Sequence, residues 1–375
     1  MYLQSIKIDQ FKNHQDTLMK PLPGINLVLG KNGMGKTNLL DAIYFSLFGR
    51  SYFSAREVQN LMHDTAFYRI ESRIQTPEDF FKIVIKYNGR TKTIESDDVA
   101  YKSIAEFIGI FPVTFITPGD IDLIIGGSEV RRKFIDQTLS QTQSSYLNAL
   151  MHYNKVLKQR NALLKQMSSH GQSDSDVLNA LDLQLEQYGT PVFKFRARFV
   201  SNFQPVFDRI YQTISNQSEK ILLNYVCDLQ NDEFNEGLKN CKRKDFILHR
   251  TNFGIHRDNL ELTLRGFPLQ HEGSQGQIKT AVLALKLAQY AYLRDSSGKQ
   301  PILLLDDVFD KLDPFRIEQL LRIITDEDFG QVFISDTFSN RLEEIIQSKL
   351  SLEYGKFVIE DGRIISQNTP HDSEK

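Results

Sequence analysis

The sequence predicts an α/β fold whose two α/β parts are separated by an inserted, mainly helical second domain. Short apolar strands and one amphipathic helical pattern fill residues 1–117. Long helical patterns with few glycines and prolines follow over 118–244, and strand-like apolar runs return over 245–365. Because the two outer segments share one character, we expect them to form a single composite domain. The polar end, 366–375, is expected to be disordered.

The first part of the chain alternates between strand and helix signals. INLVL, at 25–29, is a short apolar run typical of a strand, and apolar residues at spacings of three and four predict a helix around 39–47. KIVIKY and RTKTIE then flank Asn88 and Gly89. Asn-Gly between two alternating runs predicts a hairpin with a type I′ turn.

Two long helical patterns dominate the middle of the chain. The first covers 146–167, and the second runs from Val192 to Tyr211. A Ser-, Gly- and Asp-rich break over 168–176 separates them. Two such patterns around a loop predict an antiparallel helical arm. There are no sustained heptads, so the sequence does not support a long coiled coil.

Composition narrows the function classes only loosely. The 375 residues carry a formal net charge of −2, so any DNA surface must come from local patches. Basic clusters at 131–133, 194–198 and 242–244 are candidates, although charge runs are more often solvated faces. Cys227 and Cys241 lack a metal-ligand spacing and fit a reducing compartment.

Membrane and export signals are not found in the sequence. The first ten residues lack an apolar signal core, and no apolar run approaches the roughly 18 residues of a membrane helix. A cytoplasmic location, with no membrane partner, is therefore the expectation.

The segment GKNGMGKT, residues 30–37, matches the phosphate-loop pattern GxxxxGK[ST]. Glycines let backbone N–H groups point at phosphate oxygens, a lysine reaches the β- and γ-phosphates, and a threonine hydroxyl binds Mg²⁺. An apolar strand precedes the loop and an amphipathic helix follows it, which adds the positive end of a helix. ATP and Mg²⁺ are therefore the expected ligands. The candidate contact residues are Gly30, Lys31, Asn32, Gly33, Met34, Gly35, Lys36 and Thr37.

ILLLDD, residues 302–307, is typical of a strand buried on both faces and followed by two carboxylates. We expect Asp306 to bind Mg²⁺ together with Thr37, directly or through water. Asp307 is the candidate catalytic residue, which would orient or deprotonate the attacking water. Taken alone, the segment also fits a plain strand and a polar turn.

The segment GSQGQ, residues 273–277, precedes a long helical pattern. A serine and small residues at a helix start suit a γ-phosphate, which makes Ser274, Gln275 and Gly276 candidate contacts. Taken alone, a simple helix cap by Ser274 explains the segment better. Its place before the ILLLDD strand favours the phosphate role. One nucleotide does not need two such helix starts, so the segment would complete the site of another subunit.

The order of these motifs resembles the ABC-type ATPase heads of the SMC and RecF group. DKLD at 310–313 matches the D-loop of such heads, although by itself it also fits a turn before the helix that Pro314 opens. Four further segments resemble RecF proteins specifically, and the similarity runs from residue 2 to about 362. They are RRKFID (131–136), YNKVLKQRNALLK (153–165), GIHRDNL (254–260) and SQGQ (274–277).

The chain also departs from the family pattern. TPGDI, at 117–121, and Asn259 stand where RecF proteins usually carry other residues. Transporter ATPases place a switch histidine near 335–337, and this chain has Ser-Asp-Thr there. The sequence therefore assigns neither a γ-phosphate sensor nor a Q-loop residue.

The resemblance implies an ATP-dependent DNA-binding protein of recombinational repair, replication and the response to DNA damage (the SOS response). ATP would join two chains head to head, and this homodimer would clamp duplex DNA near a single-strand gap or junction. With RecO and RecR it would help RecA displace single-strand-binding protein. Slow, DNA-stimulated hydrolysis would release the clamp. The resemblance also implies that Lys12 and Asn13 touch the nucleotide, and a solvated turn beside Phe11 is the alternative.

Other functions stay open at this stage. In a transporter ATPase the signature segment follows the phosphate loop much sooner than it does here, and an SMC protein would need a far longer insert. A phosphotransferase would leave SQGQ unexplained. A structural subunit that binds ATP with little turnover, or another ABC-type ATPase, would share the motifs, and ATPase assays with and without DNA would separate it.

Overall fold

The computed structural model describes most of the chain. The described residues are 1–170, 175–215, 219–230, 232–309, 314–326, 329–337, 340–346 and 353–368. The DKLD motif at 310–313 lies outside them, as does the end of the chain from 369. Two compact units are present. One contains Met1–Asp120, the residues from Leu283 onward and a short piece near Thr213, and the other contains most of 121–282.

The described strands are β1 (Tyr2–Phe11), β2 (His14–Met19), β3 (Ile25–Leu29), β4 (Tyr68–Gln75), β5 (Phe80–Tyr87), β6 (Lys92–Ser96), β7 (Val99–Ala100), β8 (Val113–Ile116), β9 (Ile221–Val226), β10 (Asn259–Leu264), β11 (Phe267–Pro268), β12 (Ile302–Asp306), β13 (Val332–Asp336), β14 (Tyr354–Glu360) and β15 (Arg363–Asn368). The described α-helices are α1 (Lys36–Phe48), α2 (Ile104–Phe107), α3 (Asp122–Ile125), α4 (Ser128–Thr142), α5 (Ser144–His170), α6 (Ser175–Ser215), α7 (Phe234–Leu248), α8 (Leu269–Glu272), α9 (Gln275–Ser297), α10 (Pro314–Asp326) and α11 (Asn340–Ile345).

A parallel sheet in the first unit brings the predicted motifs together. Its strand order is β15-β14-β3-β13-β12-β8, and all neighbours are parallel except the β14–β15 pair. Every residue of β3, β12 and β13 is buried, as expected for strands covered on both faces. Because parallel strands end at the same edge, the segments that follow β3, β12 and β13 meet there.

An antiparallel sheet completes the first unit, in the order β2-β1-β4-β5-β6-β7. The predicted hairpin is confirmed, but its predicted type I′ turn is wrong. Tyr87 pairs with Lys92, so the loop has the four residues 88–91, and Asn88 is not among the residues with positive φ. The Asn88 side-chain oxygen instead accepts hydrogen bonds from the backbone N–H groups of Arg90 (3.1 Å) and Thr91 (2.9 Å). Asparagine favours this local alternative to a tight turn.

The second unit contains the predicted antiparallel arm. Tyr146 packs edge-on against Phe195, His152 stacks on Tyr188, and Arg160 pairs with Asp182. Residue numbers therefore rise along α5 while those of their partners fall along α6, as in an antiparallel pair. The two helices also occupy most of the predicted break. Residues 171–174 lie outside the described part of the chain.

The composite-domain prediction needs correcting at 245–282, which pack in the second unit. Strand β10 pairs along its whole length with β9, which the prediction already placed in the arm. An alternating strand pattern looks the same in either domain, and only its pairing partner decides where it belongs. The predicted disordered tail also starts too early, because Asn368 still pairs with Lys356.

A buried arginine explains the KQRNALLK segment. Arg160 is fully buried and donates to Asp182 (2.6 Å), to Asp245 (2.6 Å) and to the hydroxyl of Thr251 (3.0 Å). Asn161 accepts from the backbone N–H of Thr251 at 2.7 Å. These bonds tie α5 to α6 and to the end of α7, so the segment stabilises the second unit.

A second buried arginine, Arg196, joins two of the other three family-like segments. It donates to Asp136 of RRKFID (2.8 Å) and to Asp258 of GIHRDNL (2.7 Å). Removing one partner of such a pair leaves a buried charge without compensation, so each residue depends on the others. Within the described part of the chain, no helix is both long and apolar enough to cross a bilayer.

Candidate functional site

The phosphate loop joins the end of β3 to the start of α1. Gly33 and Gly35 have φ values of 83° and 112°, a region that L side chains rarely adopt. A Cβ atom on Gly35 would also lie only 2.5 Å from the Asn13 side chain. Lys31, Asn32 and Gly33 are exposed, whereas Lys36 is buried. The loop therefore has the curled backbone that its glycines predict.

The Lys36 amine lies folded over the loop. It donates to the carbonyl of Gly30 at 2.9 Å and to that of Lys31 at 3.4 Å, and it lies 3.8 Å from a carboxylate oxygen of Asp307. Only 3% of this side chain is exposed. The amine is thus held by carbonyls of the loop itself, beside the N–H groups that would face a triphosphate.

Thr37 and Asp306 meet at the carboxyl edge of the sheet. The Thr37 hydroxyl lies 2.9 and 3.0 Å from the two carboxylate oxygens of Asp306. Burial raises the pKa of Asp306, while hydrogen bonds from Ser335 and Thr37 act against that shift. Mg²⁺ in nucleotide sites takes one or two protein oxygens and completes its octahedron with phosphates and water. This pair of donors fits that requirement.

Asp307 is held in the left-handed region, with φ 45°. Its N–H donates to the Ser335 hydroxyl at 2.9 Å, and the same hydroxyl donates to Asp306 at 2.7 Å. Ser335 therefore orients the Asp306 carboxylate and holds the Asp307 backbone, and its hydroxyl lies 3.4 Å from an Asp307 carboxylate oxygen, a role that the sequence did not reveal. Only the strand order could have indicated this role, because Ser335 is the register partner of Asp306 on the neighbouring strand β13.

Lys12 and Asn13 lie beside the loop in different ways. The Asn13 side chain donates to the Met34 carbonyl (3.3 Å) and accepts from Asn38 (2.7 Å). The Lys12 amine is instead held by buried Asp41 at 2.6 Å, and only 12% of its side chain is exposed. The solvated-turn alternative therefore does not describe these two residues. Asp41 is a further residue that the sequence did not single out.

His14 and Gly362 support the loop from the other side. His14 is fully buried, its Nε2 lies 3.0 Å from the Gly35 carbonyl, and burial lowers the pKa of the imidazole. The N–H of Gly362, in the turn between β14 and β15, donates to the Met34 carbonyl at 2.9 Å. The loop is thus held by elements from both ends of the chain.

The SQGQ segment lies in the second unit and starts helix α9. Ser274 and Gln277 form a reciprocal capping box, in which the Gln277 N–H donates to the Ser274 hydroxyl (3.2 Å) and the Ser274 N–H donates to the Gln277 side chain (2.7 Å). The capping interpretation therefore holds for the chain by itself. Ser274 and Gln275 remain exposed, so the cap leaves them accessible.

The predicted basic clusters are partly structural. Arg131 donates to Asn259 (2.8 Å) and to the Gly126 carbonyl (2.7 Å), and Arg132 donates to the Asp258 carbonyl (2.7 Å). Arg196 is buried, as described above. The cluster side chains that stay exposed are Lys133, Lys194, Arg198, Arg243 and Lys244.

A parallel sheet that carries the phosphate loop and two terminal carboxylates, flanked by an antiparallel sheet and interrupted by a helical insert, defines an ABC-type ATPase head. The sequence profile described as RecF/RecN/SMC N terminal domain matches residues 2–353. The chain belongs to the RecF family within this group. Curated members of that family carry the name DNA replication and repair protein RecF.

Individual relatives support this membership. The RecF protein of Flavobacterium johnsoniae is 40% identical over 93% of this chain and 97% of its own length. A solved structure of the recombination mediator protein RecF-ATP in the RecFOR pathway superposes with a TM-score of 0.87, at 29% identity and 98% coverage of both chains. An Smc head domain from Pyrococcus furiosus superposes at 0.57 with 13% identity over 99% and 97% of the two chains, which shows the fold alone.

Proposed function

We propose that this chain is an ATP-dependent DNA-binding protein of recombinational repair and replication, and that ATP drives it to dimerise around duplex DNA. The observation that carries the proposal is the exposed, capped SQGQ segment, a second helix start suited to phosphate. In a symmetric dimer it would complete the nucleotide site on the partner's phosphate loop. The names of this chain's relatives describe RecF as a protein of DNA replication and repair and of the RecFOR pathway.

Within one site, we assign roles from the contacts described above. Lys36 neutralises the β- and γ-phosphates, while Thr37 and Asp306 hold Mg²⁺. Asp307 orients the attacking water, and Ser335 holds Asp307 in place. Asn13 holds the loop through its hydrogen bond to the Met34 carbonyl. Lys12 stays paired with Asp41 unless a bound nucleotide attracts the Lys12 amine instead. Hydrolysis would release the dimer from DNA.

Partners follow from the same proposal. Phosphate contacts by lysine and arginine supply most non-specific affinity for DNA, so the exposed cluster residues are the candidates to carry it. The buried Arg196 is not among them. RecO and RecR are the proposed protein partners at gaps and junctions, where the complex would help to load RecA. The proposed location is the cytoplasm.

The oligomeric state with ATP, with ADP and without nucleotide tests the proposal directly. We expect dimers with ATP but not with ADP or without nucleotide. Adding gapped duplex DNA to the ATP sample should shift the equilibrium further towards dimers. Sedimentation velocity at fixed salt would measure both, because DNA affinity depends steeply on ionic strength. A chain that stays monomeric with ATP and gapped DNA would contradict the proposal.

Asp307→Asn is expected to bind ATP normally and to lower turnover by about 10²-fold or more, the usual contribution of a positioned base. Asparagine tolerates the positive φ at this position, so the fold should persist. The variant should accumulate as the ATP-bound dimer. Single-turnover hydrolysis with and without DNA would measure the effect.

Asp98→Asn is the matched control, because Asp98 also has a positive φ (65°) and its side chain is 81% exposed in the turn between β6 and β7. Equal single-turnover rates for Asp307→Asn and the control would exclude Asp307 as the catalytic carboxylate. If the wild type itself dimerises but shows no hydrolysis with or without DNA, the chain is an ATP-binding structural subunit instead.

A further inference from the structure

We propose that Glu219 is a positioning residue for the SQGQ segment, and that together with Arg265 it sets the strength of the ATP-driven dimer. The inference rests on the proposed function, since it assigns a helper to the segment that would contact the partner's nucleotide. Glu219 lies just before β9, far from SQGQ in sequence but in the same unit.

The side-chain amide of Gln277 connects Glu219 to Ser274. Its oxygen accepts from the Ser274 N–H at 2.7 Å, and its nitrogen donates to a Glu219 carboxylate oxygen at 2.5 Å. A carboxylate can only accept and a backbone N–H can only donate, so the amide has one allowed orientation. Glu219 therefore fixes which end of Gln277 faces Ser274.

Arg265 balances the charge of Glu219. Its guanidinium pairs with the second carboxylate oxygen, and its side chain is 76% exposed whereas that of Glu219 is 22% exposed. An unpaired carboxylate beside a phosphate-binding helix start would repel an incoming triphosphate. The ion pair removes that repulsion while leaving the hydrogen bond to Gln277 intact.

The capping box alone does not need Glu219. Glutamate at the third helical position is the usual partner of a capping serine, because it accepts from the serine N–H as glutamine does. In this chain, however, a glutamate at 277 would place two carboxylates against each other. The donor end of Gln277 is thus explained by Glu219 and not by the cap.

A donor–acceptor swap tests the inference, with dimerisation measured against ATP concentration. We expect Glu219→Ala to leave single-chain ATP binding unchanged and to weaken each composite site about tenfold. Two sites in a symmetric dimer make this about a hundredfold in the dimer dissociation constant. Glu219→Gln keeps an acceptor for Gln277 and should recover most of the loss. Glu261→Ala is the control, because it removes an exposed carboxylate from β10 of the same unit.

Gln277→Glu separates positioning from simple structural support. A cap-only role predicts normal stability and normal dimerisation, whereas we expect normal melting with weakened dimerisation. Glu219→Gln added to Gln277→Glu should restore the dimer, because the donor and acceptor have only exchanged places. Wild-type dimerisation by Glu219→Ala and Gln277→Glu would overturn the inference. If Ser274→Arg in the same assay also dimerises normally, the composite site itself is wrong, and the two failures are distinguishable.

Discussion

Lys36→Ala is expected to abolish most ATP binding while leaving the fold intact. Each contact between a charged amine and phosphate oxygens contributes about 1.5–3 kcal/mol. Loss of contacts to two phosphates should therefore raise the dissociation constant by roughly 10²–10⁴. Among the described residues, the amine bonds to two loop carbonyls and approaches Asp307, so little else there depends on it. Titration calorimetry with ATP would measure the change.

Lys86→Ala provides the matched control, since it removes a cation from the antiparallel sheet of the same unit. Both variants should keep the far-UV circular dichroism of the wild type. If Lys36→Ala binds ATP as tightly as Lys86→Ala, residues 30–37 are not the phosphate loop.

Ser274→Arg is expected to leave ATP binding by single chains nearly intact and to block ATP-driven dimerisation. The guanidinium would occupy the space that the partner's γ-phosphate needs, and hydrolysis and DNA retention should fall with the dimer. A lost helix cap by itself costs about 0.5–2 kcal/mol of stability and has no reason to affect association. Light scattering against ATP concentration would measure the effect.

Ser103→Arg is the control for this substitution, because Ser103 also stands, exposed, before a helix.

Mixing the two variant chains sharpens the test. Lys36→Ala and Ser274→Arg chains should form heterodimers in which one composite site carries both changes and the other carries neither. Recovery of ATPase activity on mixing would support a shared site. ATP-dependent dimerisation of Ser274→Arg at the wild-type level would refute it.

Local motifs were predictable from the sequence, because their chemistry depends on neighbours along the chain. The phosphate loop needs glycines, a lysine and a threonine at fixed spacing, and Gly33 and Gly35 do adopt the backbone that only glycine adopts easily. The buried strands β3 and β12 were equally visible as short apolar runs. The two helices of the arm were predictable from the helical spacing of their apolar residues.

Residues that reach the site through strand order were not predictable. Ser335 touches both carboxylates because β13 lies beside β12, and Asp41 holds Lys12 across the fold. Neither position carries a pattern of its own. Glu219 is a similar case, since nothing near it in sequence indicates Gln277. A single sequence shows which chemistry a residue is capable of, but not which residues it will contact in the fold.

The basic clusters show the opposite error, in which a local pattern has a non-local explanation. Arg131, Arg132 and Arg196 looked like surface charge, yet each bonds to partners inside the second unit. Two of these partners, Asp258 and Asn259, lie more than a hundred positions further along the chain than Arg131 and Arg132. Charge counting from sequence therefore overstated the surface available to DNA.

The order of the strands also constrains how the protein can be made. Strand β3, which carries the phosphate loop, has β13 and β14 as its two neighbours, and both follow residue 330. The Gly362 contact to Met34 comes later still. On the ribosome, the supports that the loop receives from β13, β14 and Gly362 are therefore complete only after synthesis has passed residue 362. Strands so far apart in the sequence pair slowly. We therefore expect nascent chains to bind nucleotide only after synthesis has passed the turn between β14 and β15.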